Sequence, residues 1–229
     1  MFFWDYTFVL LIPPLLLALY AQAKVQSTYA RFSRRLARRG LTGAEVVAQI
    51  LRASGAGRVA IEKIPGRLTD HYDPRRKAVR LSEAVYDSSS IAALGVAAHE
   101  AGHALQDHFH YAPLHLRNAI YPLANLGSTL AFPLFFIGLI LSQGRPHFLM
   151  DLGILLFAGA VAFTVITLPV EFNASRRALM VLREGNYLTP EELEGARQVL
   201  SAAALTYVAA TAMAVMQLLR LFLIRQSRD

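Results

Sequence analysis

The segment GVAAHEAGHALQDH, residues 95–108, contains two histidines and a glutamate in the order HExxH. On an α-helix, His99 and His103 lie one turn apart on the same face, because residues four positions apart are neighbours there. Both imidazoles can then point at one metal ion, with Glu100 beside them. The segment therefore predicts a helix that carries two metal ligands and a candidate general base.

Zn²⁺ is the metal that this pattern favours. When bound, zinc lowers the pKa of a coordinated water to about 7, and a neighbouring carboxylate can accept the water proton and pass it to a leaving amine. We therefore predict Zn²⁺ as the cofactor and Glu100 as the catalytic base. The competing interpretation is a chance motif on a buried helix, but a glutamate in so apolar a run is costly without a partner. Five small residues are predicted to leave room for the metal: Ala97, Ala98, Ala101, Gly102 and Ala104.

The third protein ligand does not follow at short spacing, since Phe109 stands six residues after His103. The chain has no cysteine, so this ligand must be a histidine or a carboxylate. Glu171, in LPVEFNASRRALMVL, is the favoured candidate, although pairing with Arg176 or Arg177 would also explain it. The other candidates are His71, on a predicted turn, and three histidines that do not continue the 99/103 face: His108, His110 and His115.

Apolar residues make up 55% of the 229-residue chain and charged residues only 17%, which is fewer charges than soluble domains usually carry. The apolar residues are concentrated in blocks of about the length that crosses a bilayer. We predict four spans, at residues 6–23, 119–141, 148–170 and 203–224. Trp4 and the tyrosines at the ends of the first block suit a membrane interface. An acidic residue, Asp5, precedes the first block, and the basic n-region of a signal peptide is absent. Both features favour an uncleaved anchor over a signal peptide.

The two middle blocks are joined only by SQGRPH, residues 142–147, which predicts an antiparallel helix pair. Pro13 and Pro14 are expected to kink the first span, and Arg220 to reach the interface from the last. Asp151 stands near the outer end of the third. Four glycines are predicted to allow close helix packing: Gly127, Gly138, Gly153 and Gly159.

The basic residues orient the spans. Residues 24–118 and 171–202 hold 15 and 4 of the 23 lysines and arginines, whereas the predicted outer loop and C-terminal tail hold Arg145, Arg225 and Arg228. By the positive-inside rule, the chain starts outside and both richer segments face the cytoplasm. Two spans separate His103 from Glu171, and an even number returns the chain to the same side. Glu171 is therefore expected where the HExxH helix lies.

The polar part is predicted to be a small α+β structure. Residues 42–54 read as a helix with a Thr42–Glu45 capping box. RVAIEKI (58–64) and AVRLS (78–82) read as strands on either side of an Asp73–Pro74 turn. The HExxH helix follows, capped by Ser88, Ser89 or Ser90. We predict that strand 78–82 pairs with an extended substrate, although a purely structural strand fits equally well.

Residues 24–39, KVQSTYARFSRRLARR, are strongly basic. Val25, Tyr29, Phe32 and Leu36 fall at helical spacing, which fits either a solvated helix or a helix lying on anionic lipid. The net charge of +7 and pI near 10 suit such a membrane surface. No nucleic-acid motif accompanies the charge, so no nucleic-acid partner is predicted.

Three motifs in order, LTDHYDPRRKAVRLSEAVY, AAHEAGHALQ and LPVEFNASRRAL, resemble the YugP-type neutral zinc metallopeptidases of bacterial membranes. HExxH and EFNAS are also distantly similar to the HtpX-type membrane proteases, and that resemblance implies that Glu171 is the third zinc ligand. Ser175 stands where those relatives have Asp, so a carboxylate that would orient a ligand histidine is missing. Asn173 or Asp107 is a candidate substitute.

Together these features predict a mainly α, integral membrane, zincin-like metalloprotease in the bacterial inner membrane, with its active site facing the cytoplasm. His99, His103 and Glu171 are its predicted metal ligands, and its partners are membrane lipid and a protein or peptide substrate. The alternative is a catalytically silent zinc-binding membrane scaffold. A transporter is disfavoured because the spans lack a run of intramembrane charges. The oligomeric state is not predicted.

The predicted organisation has five segments. An N-terminal anchor at 1–23 precedes a cytoplasmic zincin-like part at 24–118, and a transmembrane pair at 119–170 follows. A cytoplasmic segment at 171–202 carries the third ligand, and a last transmembrane helix with its tail occupies 203–229. No residue is assigned to stabilise an oxyanion; the eligible side chains are Tyr72, Tyr86, Tyr111, Tyr187, His71, Arg176 and Arg177.

Overall fold

The computed structural model describes residues 6–142 and 147–227. Trp4, Asp5, Arg145, Arg228 and most of the predicted 142–147 connection lie outside them. A 3-10 helix, Tyr6–Leu11, precedes the other elements, which are α1 (Ile12–Phe32), α2 (Gly43–Ala53), β1 (Ala60–Ile64), β2 (His71–Asp73), β3 (Ala78–Ser82), α3 (Glu83–Tyr86), α4 (Ile91–His108), α5 (Ala112–Leu141), α6 (Phe148–Glu184) and α7 (Pro190–Gln226).

The chain divides into two compact units. The first comprises Met1–Ala21, Leu116–Pro169 and Thr206–Asp229, and the second comprises Gln22–His115 and Val170–Leu205. Helices α1, α5, α6 and α7 each contribute to both units.

Four helical stretches are long and apolar enough to cross a membrane: Tyr6–Phe32, Ala112–Leu141, Phe148–Glu184 and Pro190–Gln226. This confirms the prediction of a mainly α membrane protein with four spans and a small β part. All four helical stretches extend beyond the predicted spans, and α6 and α7 supply most of segment 171–202. Hydropathy marks the apolar part of a helix, whereas the helix continues wherever polar residues still favour helical backbone.

Pro13 and Pro14, predicted to kink the first span, stand at the start of an α-helix and not in its interior. They fall in the first turn of α1, immediately after the 3-10 helix. The first backbone N–H groups of an α-helix have no intrahelical acceptor, so proline sacrifices no hydrogen bond there. The pair instead marks the change from 3-10 to α-helical geometry.

Glycines bring α5 and α6 together in the first unit. A Cβ placed on Gly153 would lie 2.7 Å from the carbonyl oxygen of Ala131, and one on Gly127 would lie 3.0 Å from that of Leu156. Gly138 makes a similarly close approach to Met150. The predicted close packing is therefore confirmed at these three glycines. It is wrong for Gly159, where an added Cβ would meet nothing within 4 Å among the described residues.

Two arginines near the C-terminal end of α7 have partners within the first unit. Arg220 donates to the Thr7 hydroxyl at 3.2 Å, and its guanidinium lies 4.0 Å from the centre of the Phe8 ring. Arg225 pairs with Asp151 at 2.9 Å. Arg220 thus binds the 3-10 helix that starts the first span.

The helix caps predicted in the second unit are present in the structure. Thr42 and Glu45 form the capping box of α2, with each side chain bonded to the other's backbone N–H. Ser90, among the three serine candidates, caps α4 by accepting from the N–H of Ala93 at 3.2 Å. Residues 35–43 also hydrogen-bond along residues 88–91, which fixes the start of α4.

The sheet has the strand order β1-β3-β2, with β1 parallel and β2 antiparallel to β3. Strand 78–82 forms as predicted. The prediction that it pairs with substrate is wrong, because both of its edges are already occupied by β1 and β2. His71–Asp73, predicted as a turn, forms the edge strand β2.

Helix α4 runs through the centre of the hydrophobic core of the second unit. Ala93, Ala97 and Ala101 have no solvent exposure. A Cβ on Gly95 would meet Ala196 of α7 at 3.5 Å. The core around α4 includes residues of α1, α2, β3, α6 and α7, so the HExxH helix is packed among five other elements.

Candidate metal centre

Helices α4 and α6 bring the three predicted ligands together. Glu171 Oε2 lies 3.3 Å from Nε2 of His99 and 3.5 Å from Nε2 of His103. One ligand atom from each residue falls within 4.8 Å of the other two, so the group can hold a metal ion. Glu171 has only 3% of its surface exposed. A carboxylate so deeply buried needs a compensating charge or donor.

The small residues around the motif allow close packing of neighbouring elements. A Cβ on Gly102 would lie 2.7 Å from the carbonyl oxygen of Ala174, on the turn of α6 that follows Glu171. Ala97, Ala98, Ala101 and Ala104 are fully or almost fully buried in the core. These residues admit neighbouring elements closely, whereas the predicted room around a metal stays a prediction. The contact at Gly102 brings Glu171 within reach of both histidines.

Ser175 and Gln106 orient the two histidines. Ser175 Oγ lies 3.1 Å from Nδ1 of His99, and Gln106 Oε1 lies 3.0 Å from Nδ1 of His103. With Nδ1 donating to these oxygens, each Nε2 keeps its lone pair for a metal. Both Nε2 atoms face Glu171.

The missing carboxylate at position 175 is therefore replaced by the serine hydroxyl itself. Asn173 acts on His103 only through Gln106. Its Oδ1 accepts from Gln106 Nε2 at 3.0 Å and from Arg177 Nε at 2.8 Å. Gln106 also donates to the carbonyl oxygen of Val170 at 2.7 Å. Asp107 instead accepts hydrogen bonds from Tyr72 and Lys77, and the Nδ1 partners of the two histidines are Ser175 and Gln106.

Glu100 lies beside the three ligands and is 8% exposed. Burial raises the pKa of its carboxyl to about 7, while His99 lowers it and Glu171 raises it further. The backbone N–H of Tyr72, in β2, also acts on this carboxyl and favours its charged form. A carboxyl with a pKa near neutrality can both accept and return a proton.

Tyr72, Lys77 and Asp107 form a second polar cluster that the sequence did not reveal. The Tyr72 hydroxyl and the Lys77 ammonium both donate to Asp107 Oδ2, each at 2.5 Å. Burial raises the pKa of Asp107, but these two donors outweigh it and hold the pKa below its usual range. Tyr72 therefore links β2 to both Glu100 and Asp107.

The remaining candidates lie elsewhere. His71 Nδ1 is 2.8 Å from the Thr69 carbonyl oxygen, and His110 stacks against His115. Within residues 6–142 and 147–227, the metal-competent group contains none of His71, His108, His110 and His115. Among the residues considered for an oxyanion, Tyr72 is bonded to Asp107, Arg177 to Asn173, and Tyr187 lies under Arg39.

The donor set fits zinc. Two neutral imidazole nitrogens and one carboxylate oxygen are the three protein ligands typical of a catalytic zinc, which keeps its fourth position for water or substrate. Each histidine is oriented through its other ring nitrogen, as metal-bound histidines usually are.

Comparison with known proteins agrees with this geometry. The family model described as "Putative neutral zinc metallopeptidase" matches residues 7–226. This chain belongs to that family. A curated relative from Bacillus subtilis (strain 168), named "Putative membrane protease YugP", is 47% identical over 215 residues, which are 94% of each chain. No solved structure matches the chain significantly.

Membership of the zinc metallopeptidase family confirms the resemblance seen in the three motifs. The match covers the spans as well as the HExxH and EFNAS segments. A membrane-associated zinc metallopeptidase is therefore the class to which the chain belongs.

Proposed function

We propose that the protein is a membrane-embedded zinc endopeptidase that hydrolyses peptide bonds at the cytoplasmic face of a bacterial inner membrane. The observation that supports this most strongly is the convergence of Nε2 of His99, Nε2 of His103 and Oε2 of Glu171, with Glu100 buried beside them.

In this proposal His99, His103 and Glu171 hold the metal. When bound, zinc supplies a Lewis acid that acidifies water and polarises the substrate carbonyl group. Glu100 accepts the proton from the attacking water and delivers it to the leaving amine nitrogen. Ser175 and Gln106 keep both imidazoles in the ligating tautomer through their Nδ1 atoms.

The catalytic role of Glu100 is tested with Glu100→Gln, which keeps the shape of the side chain and removes the base. The protein is purified in detergent, zinc is measured by elemental analysis, and cleavage of casein and self-cleavage are followed. We expect Glu100→Gln to keep its zinc and lose cleavage, and Glu194→Gln, on the exposed surface of α7, to keep both.

Two results would count against the catalytic proposal. Full cleavage by Glu100→Gln would show that the proposed base is not used. Stoichiometric zinc in the wild-type protein without cleavage of any protein or peptide would favour the silent scaffold.

The orientation in the membrane rests on the distribution of lysine and arginine. Because the chain has no cysteine, single cysteines report it directly. Arg67→Cys, in the β1–β2 loop, is expected to react with a membrane-impermeant maleimide only in inverted vesicles, and Ser227→Cys only in intact spheroplasts. The opposite labelling pattern would place the metal centre outside.

A further inference from the structure

A cleft of about 620 Å³ lies beside the proposed catalytic base in the second unit. It opens between the α2–β1 connection, the β2–β3 hairpin and the last two turns of α4. Its lining includes Arg58, Tyr72, Lys77, Ala104, Asp107 and His108. Nothing in the proposed zinc chemistry uses it.

The residues of α4 that line the cleft lie on the same face of the helix as Glu100. At about 100° per residue, Ala104 and Asp107 lie within about 40° of Glu100 around the helix axis, and about 6 and 10 Å along it. Tyr72 connects the cleft to the proposed base, since its backbone N–H acts on Glu100 and its hydroxyl binds Asp107. An extended peptide advances about 3.3 Å per residue, so the cleft lies two to three residues from a bond held beside Glu100.

Positive charge dominates the lining. Asp107, the acidic residue of the lining, is buried and already accepts from Lys77 and Tyr72. The guanidinium of Arg58 has neither an ion pair nor a hydrogen bond within the described part of the chain. His108 and His110 add two imidazoles to the lining. An entering anion can therefore bind Arg58 without displacing an acidic partner, whereas Lys77 is shared with Asp107.

We propose that this cleft is a substrate subsite that binds a carboxylate of the peptide two to three residues from the cleaved bond. The inference rests on the proposed peptidase function and adds its substrate preference. Arg58 supplies a planar, two-pronged donor that matches a carboxylate. The exposed Lys77 ammonium is paired with Asp107 and has further N–H groups to donate. The carboxylate comes from an Asp or Glu side chain or from a peptide C-terminus.

Matched peptides test this. Cleavage of peptides with Glu or Gln at the second and third positions on either side of the bond is compared, together with peptides ending in a free acid or an amide. The ratio of kcat/KM for acidic over neutral partners is measured, because this ratio is insensitive to the fraction of folded enzyme. We expect the wild-type ratio at one position to be about 10.

The variants are Arg58→Gln and Arg58→Glu, and the control is Arg52→Gln, which removes the same charge from the exposed end of α2 outside the cleft. Arg58→Gln should bring the ratio close to 1, and Arg58→Glu should reverse the preference. Arg52→Gln should keep the wild-type ratio. Side-chain acids account for the ligand if the Glu peptides carry the effect, and a C-terminus does if the free-acid peptides carry it.

Three results would overturn the proposal. The first is a wild-type ratio near 1 at every position, and the second is an undiminished ratio in Arg58→Gln. The third is a stimulation by phosphatidylglycerol vesicles that Arg58→Gln abolishes without any change in peptide preference, which would assign the cleft to a lipid headgroup.

If the wild-type protein cleaves no peptide, the peptidase proposal fails. Peptide binding then tests separately whether the cleft recognises a carboxylate. Anisotropy of a labelled acidic peptide would then be measured with wild type, Arg58→Gln and Arg52→Gln. Binding that depends on Arg58 alone supports the carboxylate site, and equal or absent binding in all three proteins overturns it.

Discussion

At the scale of single residues, the metal centre depends on which atom of each side chain is already engaged. Ser175 and Gln106 occupy the Nδ1 atoms of His99 and His103, and this leaves both Nε2 atoms facing Glu171. Gln106 is itself held by the Val170 carbonyl oxygen. The position of one ligand is thus coupled to the helix that carries another.

Replacing Gln106 by Leu should lower zinc affinity by about tenfold or more, because oriented partners of ligand histidines typically contribute 10–100-fold. Competition with a chelator measures this affinity in purified protein. Gln217→Leu, in the C-terminal part of α7, is the control and should bind zinc like the wild type. Equal affinity in Gln106→Leu and wild type would show that His103 needs no such partner.

Asp107 gives the second unit an acid-sensitive contact. Lys77 and Tyr72 lower its pKa despite burial, so the ionised side chain stabilises the folded state above its unfolded pKa of about 4. This contribution is lost as the pH falls through the lower, folded-state pKa. Asp107→Asn should therefore unfold at a lower temperature than wild type at pH 6–7, with the difference in Tm shrinking below about pH 4. A constant difference from pH 7 to pH 3 would contradict this.

At the scale of elements, the close crossing of α4 and α6 places Glu171 within reach of the histidines. The sequence predicted that these residues meet, because the count of two spans places both on one side of the membrane. It did not predict the contacts of Ser175, Gln106 or Tyr72, since these depend on how each helix is rotated about its axis. The three-residue strand β2 is too short to show an alternating pattern, and the order of strands has no local signal.

Gly102→Ala tests this crossing. A methyl group there would lie 2.7 Å from the Ala174 carbonyl oxygen, a backbone atom that cannot rotate away. Alanine favours an isolated helix by about 1 kcal/mol, but such overpacking costs about 1–3 kcal/mol, so we expect net destabilisation and weaker zinc binding. Gly159→Ala, with open space around the added methyl group, should keep the wild-type zinc binding and should not lower stability, because no overpacking offsets the helix preference of alanine. Equal stability and zinc binding in Gly102→Ala would contradict a tight crossing.

At the scale of the whole molecule, four apolar helical stretches and a small α+β region form two compact units. Composition and apolar blocks predicted the spans. Hydropathy could not predict that helix α6 continues after residue 170 or that helix α7 begins before residue 203. Glu171 lies on this continuation of α6. One helix therefore provides both a membrane span and a proposed metal ligand.

The central claim is that His99, His103 and Glu171 together hold one zinc ion. Elemental analysis of detergent-purified protein, after equilibration with limiting zinc, tests it most directly. We expect about one zinc per chain in the wild type and in the surface control Glu194→Ala, and very little in Glu171→Ala that elutes as a folded, monodisperse species. Full zinc occupancy in folded Glu171→Ala would contradict the account.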